Sequence, residues 1–189
     1  NPKDLNEKIQ WLKFHADMNV WARLADKHAV REYVKERGLE DILVKQYGKY
    51  DTSEQLMSDW DNLPEKFVLK SNNGCGTIKL ITSKSAEDKG SVKQLTEQWL
   101  KQKDIGIGTV ELHYTLIKPC LIAEELLEDS SVKDYSCSLV DYKIWCFNGM
   151  PHCVWACYNR HKDSVEVATY DLDWNRHDEY CISIPHYKL

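Results

Sequence analysis

The chain has 189 residues, enough for one well-buried domain or for one domain with a small attachment. Its 25 Lys and Arg against 30 Asp and Glu give a formal charge of -5, the wrong balance for a general nucleic-acid binder. A local phosphate pocket needs only about two or three cations, so that balance does not exclude one. Apolar runs such as 120–123 are far too short to span a bilayer, and no integral membrane segment is expected.

The opening residues, Asn1-Pro2-Lys3-Asp4, carry no signal-peptide pattern. Seven cysteines without framework spacing read as reduced thiols, so the chain is expected in the cytoplasm. There is no Met at position 1, and a strand-like pattern is still running at 183–189; a trimmed piece of a longer protein is expected. His152, Cys153, Cys157 and His161 invite a zinc reading. The apolar alternation of 153–157 is that of a strand, however, where residues four apart stand roughly 13 Å apart. Two ligands of one tetrahedral zinc sit about 4 Å apart, so buried thiols are expected and no metal ligand is assigned.

In chain order, Asp4 and Glu7 have capping-box spacing before an apolar stripe of Ile9, Trp11 and Leu12. A second amphipathic stretch, Trp21, Leu24, Ala25, His28, Ala29, Tyr33 and Val34, stops at Gly38, so 4–37 is expected to be helical with Asp26-Lys27 on the second helix. An apolar segment (42–44), Tyr47 to Tyr50 and a helical turn (53–57) follow. Phe67 to Lys70 reads as a buried strand, 71–76 as a turn and Thr77 to Ile81 as the returning strand of a hairpin. Ser85 to Lys103 is a polar helix striped by Val92, Leu95, Trp99 and Leu100. A strand is expected at 121–125, a polar loop at 128–138, a hairpin of 140–147 and 152–158 around Asn148-Gly149, and a strand at 165–172. Trp11, Trp60 and Trp99 occupy apolar positions and are expected in the core. Helices, a hairpin, a helix and then mostly antiparallel strands make an α+β fold.

The strongest local feature is Lys70 at a strand end, immediately before a loop with two glycines. Successive N–H groups in such a turn form an anion nest, and the lysine adds the compensating charge. The Gly-Lys-Ser/Thr ending and following helix of a Walker loop are absent, and a plain hairpin with an exposed lysine fits equally well. Lys27 also reads as the partner of Asp26 or Glu32 on a solvated helix face. Glu125 and Glu128 also read as the wet side of an edge strand, and Asp171-x-Asp173 as a turn.

Six stretches carry a resemblance: 5–13 (LNEKIQWLK), 24–34 (LADKHAVREYV), 66–70 (KFVLK), 122–129 (IAEELLED), 141–149 (DYKIWCFNG) and 170–175 (YDLDWN). Their order resembles that of the ATP-grasp superfamily, and within it the TupA-like family of teichuronopeptide biosynthesis, often labelled glycosyltransferase or polysaccharide biosynthesis protein. The resemblance implies an ATP-grasp-like α+β fold with a helical N-terminal segment (1–62), a first subdomain with glycine loop and hinge (63–127) and a C-terminally truncated second subdomain (128–189), the two subdomains built on mostly antiparallel sheets.

The same resemblance gives Lys27 and Lys70 to the nucleotide phosphates. It gives Asn73, Gly74, Cys75, Gly76 and Thr77 to a loop closing over them. The adenine edge falls to the hinge Glu124, Glu125, Leu126 and Leu127, with Glu128 or Asp129 near the ribose. Lys143 takes a strand position facing the phosphates or the acceptor, so Lys70 and Lys143 are the implied catalytic pair. The cofactors implied are ATP and Mg2+, the magnesium carboxylates being expected beyond this sequence. The implied activity is an ATP-dependent carboxylate–amine ligase working through an acyl phosphate in surface polysaccharide biosynthesis, with a sugar-acid or amino-acid acceptor. The alternatives are a glycosyltransferase using a nucleotide sugar, for which Asp171 and Asp173 are the metal candidates, and a non-catalytic nucleotide-binding module.

Overall fold

A computed structural model describes residues 1–189 apart from Cys75, Lys162 and Leu189. The chain divides into two units, Asn1–Leu126 and Leu127–Leu189.

The first unit opens with three helices, α1 (Leu5–His15), α2 (Met18–Ala25) and α3 (Ala29–Glu36). Asp4 caps α1 by accepting from the Glu7 amide at 2.8 Å, while the Glu7 carboxylate reaches back to the Lys3 amide at 2.6 Å. The second amphipathic stretch is not continuous. Its backbone turns extended at Asp26, whose carboxylate accepts from the amides of His28 (2.8 Å) and Ala29 (3.1 Å) and so starts α3 afresh. Lys27 therefore sits in the turn between α2 and α3 and not on a helix as expected.

Then come β1 (Gln46–Tyr50), α4 (Ser53–Asp59), β2 (Phe67–Ser71), β3 (Ile78–Ile81), α5 (Lys89–Lys101) and β4 (Leu121–Glu124). Helix α5 begins later than expected because Asp88 accepts from the Ser91 amide at 2.9 Å and sets the cap there. The four strands form one antiparallel sheet in the order β1-β4-β2-β3. One face of it buries Tyr50, Phe67, Leu69, Ile81, Leu121 and Ala123 against Leu56, Trp60, Val92 and Trp99. Each fully buried aliphatic or aromatic side chain there is worth about 1.5–3 kcal/mol of transfer free energy. Strand β4 is central and ends at Glu124, so Glu125 and Glu128 are not the outer face of an edge strand; they follow the strand.

Trp60 and Trp99 are in this core, but Trp11 is 46% exposed and stacks on His15 at 3.9 Å. Helix α1 buries none of its residues. Periodicity gave it an apolar stripe, but a stripe is buried only where another element lies across it.

The second unit is the sheet β5 (Asp141–Phe147), β6 (Met150–Tyr158) and β7 (Glu166–Tyr170), antiparallel in that order. Asn148 and Gly149 take φ of 51° and 78°, the left-handed pair that a two-residue hairpin turn needs. Ala156, Tyr158 and Ala168 pack with Tyr187, which stacks on Tyr158 at 4.0 Å. Cys153 and Cys157 are buried, and among the described residues no group of three His, Cys, Asp or Glu is placed to hold a metal ion. Asp171 is used by its own turn, accepting from the amides of Asp173 (2.9 Å) and Asn175 (2.8 Å). The molecule is thus α+β with two antiparallel sheets, and no described helix is long and apolar enough to cross a membrane.

Candidate functional site

Strand alternation puts Leu69 into the core and turns Lys70 to the opposite face, beside Ile122 and Glu124 of β4. The Lys70 ammonium donates to the Glu124 carboxylate at 2.7 Å, and the Arg31 guanidinium from α3 stands 3.7 Å from its other oxygen. Glu124 is 7% exposed, so this buried charge is held by two cations. Arg31 is fixed in turn by the Val44 carbonyl at 2.7 Å.

The loop after β2 is tied down by Asn72. Its amide nitrogen and side-chain oxygen clasp the main chain of Cys120 (3.0 and 2.8 Å), and its side-chain nitrogen donates to the Lys118 carbonyl at 3.0 Å. Its own carbonyl accepts from the Lys27 amide at 3.0 Å, which joins the α2–α3 turn to the loop. The Lys27 ammonium then donates to the Gly74 carbonyl at 2.6 Å. Ser71 and Thr77 close the base of the loop through a hydroxyl–hydroxyl bond.

Gly74 has φ of 74°, and a Cβ there would fall 2.7 Å from the Ile105 side chain, so only glycine fits. The buried side-chain oxygen of Asn73 has no hydrogen-bond partner among the described residues, and Asn73 lines a cavity of about 280 Å³ with Ile105, Tyr114 and Ile117. Burial and the nearby Asp26 carboxylate push the Cys120 thiol up to about 11, which keeps it protonated and inert at neutral pH. An ammonium group at a glycine loop, with a second lysine on the strand that leads into it, is an arrangement suited to an anion.

A family model described as TupA-like ATPgrasp matches residues 7–183. The chain belongs to the TupA-like ATP-grasp family. No curated protein and no solved structure gives a match.

In this TupA-like chain, Lys27, Lys70, Asn73, Gly74, Gly76, Thr77 and Glu124 all lie in the first unit, while Cys75 falls outside the described residues. The Glu125 amide is already spent on the Lys45 carbonyl at 2.9 Å, which extends the β1–β4 pairing by one bond. The unit boundary falls between Leu126 and Leu127, inside the stretch assigned to the hinge, and Glu128 lies exposed just after it. Lys143 is on β5 of the second unit, exposed and 2.8 Å from Asp141, which also takes Arg160 at 2.6 Å. Burial works to raise the Asp141 carboxyl, but its bonds to Lys143 and Arg160 outweigh that and hold it below the usual range. Two residues of the site were missed by sequence reasoning. Arg31 was quoted only within a matching stretch, and Asn72 only as a turn residue; nothing in a single sequence distinguishes a buried turn asparagine from a solvated one.

Proposed function

We propose that this chain binds ATP through its first unit and that the protein is an ATP-dependent carboxylate–amine ligase of surface polysaccharide biosynthesis. The observation that carries the reading is that Lys27 reaches the Gly74 carbonyl of a glycine loop tied down by Asn72, while Lys70, on the strand that leads into that loop, holds Glu124. Lys27 would trade the Gly74 carbonyl, and Lys70 part of its hold on Glu124, for phosphate oxygens. Main-chain amides of the loop would add donors to the same anion. With the Glu125 amide engaged, the adenine edge would be read by the Leu126 amide and the Glu125 carbonyl. In the reaction a substrate carboxylate attacks the γ-phosphorus, ADP leaves, and an amine then displaces phosphate from the acyl phosphate to give an amide. The cations neutralise charge developing on the transferring group. Lys143 is assigned to phosphates or acceptor by family likeness alone. Among the described residues no group of three His, Cys, Asp or Glu is placed to hold magnesium.

The sugar-transfer alternative relies on Asp171 and Asp173 as a metal pair, and Asp171 is already engaged by the amides of its own turn. Calorimetry with ATP, ADP and UDP-sugars, each with magnesium, tests the reading. ATP and ADP should bind, UDP-sugars should not, and Lys70→Met should abolish nucleotide binding while Lys143→Met lowers only turnover. UDP-sugar binding without ATP binding would overturn the ligase, and unchanged affinity in Lys70→Met would overturn the site. ATP binding with no turnover against any uronic acid and amino acid pair would favour the non-catalytic module.

A further inference from the structure

We propose that Cys137 and His161 form a thiol-modification site in the second unit that reacts with low-molecular-weight disulfides. Cys137 is exposed ahead of β5, and its sulfur lies 3.5 Å from the Nε2 of His161. Both partners are held from the end of β6. The Cys137 amide donates to the Asn159 side-chain oxygen at 2.9 Å, and Asn159 is locked in the left-handed region at φ 47° by a bond from its own amide to the buried Ser136 hydroxyl at 3.1 Å. His161 is anchored by its own amide on the Ser164 carbonyl at 2.9 Å. The imidazole also borders a cavity of about 490 Å³ shared with Arg160, Ser164, Ser183 and Pro185, which leaves room beside the sulfur's partner for the body of a reagent.

The other described cysteines make the contrast. Cys120, Cys153, Cys157 and Cys181 are buried. Cys146 is exposed like Cys137, but its described contact is the Ile144 carbonyl at 3.9 Å, a group that accepts the thiol hydrogen bond and cannot remove the proton. At Cys137 the thiol proton passes to His161 Nε2 and the sulfur attacks one sulfur of the disulfide. A new S–S bond forms to Cys137, the old S–S bond breaks, and the departing thiolate leaves with its electron pair and takes a proton from water or from the imidazolium.

The test is exposure of the full chain to oxidised glutathione, with the adduct at each cysteine followed in time by peptide mass spectrometry. Cys137 should be modified on the order of tenfold faster than Cys146. His161→Gln should bring Cys137 down to the Cys146 rate while the Cys146 rate stays unchanged, and Cys137→Ser should remove that adduct alone. Equal rates at the two exposed cysteines, no adduct at Cys137, or an undiminished Cys137 rate in His161→Gln would each overturn the proposal. If His161→Gln loosens the fold, the buried Cys153 and Cys157 become modified too. The decision then rests on the ratio of Cys137 to Cys146 in the unaltered chain, measured with iodoacetamide as a second reagent.

Discussion

Asn72→Ala tests the claim that one buried amide holds the glycine loop. Asn72 is 1% exposed and Cys120 2%, and the Asn72 side chain satisfies the Cys120 amide at 2.8 Å and the Lys118 carbonyl at 3.0 Å. Alanine leaves the Cys120 N–H buried without a partner, at about 1–3 kcal/mol. Lys118 is exposed, so its carbonyl recovers water at little cost. The lost side-chain volume adds roughly 1 kcal/mol. The sum is about 2–4 kcal/mol, or about 30- to 700-fold in the opening equilibrium at a tenfold change per 1.4 kcal/mol. Amide hydrogen exchange of peptides spanning β2 and β4 reads that equilibrium within the first unit, without assuming that the two units unfold together. Protection there should fall by that factor. Asn62→Ala, which removes an exposed bond to Asp59, should change it by less than about threefold. Protection in Asn72→Ala that stays within about threefold of the parent chain would refute the reasoning, since it would mean that water or a shifted loop satisfies the Cys120 amide.

Three further outcomes are expected. His177 is raised above 6.5 by its hydrogen bond to Glu179 and, secondarily, to Asp171. A raised folded-state value means that its contribution to the 171–180 turn is fully present below 6.5 and is lost as pH rises through the folded value. An NMR titration should put its midpoint above 6.5, with Glu179→Gln moving it down; a midpoint at or below 6.5 contradicts the pairing. Gly48→Ala would place a Cβ 2.4 Å from the ring carbon Cζ of Tyr50, whose hydroxyl is fixed on Asp59 at 2.6 Å. Relieving that overlap should destabilise the first unit by about 1–3 kcal/mol, and an unchanged urea midpoint would exclude the clash. Trp11→Ser should leave the stability of the chain within about 0.5 kcal/mol, because this ring is 46% exposed and stacks on His15 of its own helix; a loss like that of a core tryptophan would return it to the interior.

The parts of the fold that were legible are those where one local rule decides. Asn148-Gly149 forces the β5–β6 hairpin, Phe67 to Lys70 with its glycine loop forces the β2–β3 hairpin, and the Val92, Leu95, Trp99 stripe forces α5. Failures came where two local rules competed or where burial depended on a distant partner. Asp26 is compatible with a helix interior, but its stronger use is to cap the next helix, and that use moved Lys27 into a turn. The α1 stripe is weaker than that of α5, and α1 buries none of its residues whereas α5 lays Val92 and Trp99 into the core under the sheet. At the site, the residue types that carry charge were visible, while Asn72 and Arg31, which place those charges, were not. Their roles exist only once β4 lies beside β2.

The pairing at Glu124 bears on how the proposed anion site could work in a chain of net charge -5. A lysine locked to a buried carboxylate would be poorly placed to serve a phosphate, because leaving would strand the carboxylate at a cost of several kcal/mol. Arg31 lowers that obstacle: its guanidinium already stands 3.7 Å from Glu124. Under the proposed reading the carboxylate would therefore keep a cation if Lys70 turned toward a ligand. At Gly74 the acceptor of the Lys27 ammonium is a neutral carbonyl. In this acidic protein Lys27, Lys70 and Arg31 are set among the carboxylates Glu124 and Asp26. The net negative charge of the whole chain disfavours extended polyanions, while under the proposed reading Lys27 and Lys70 would supply the positive charge for a compact polyphosphate.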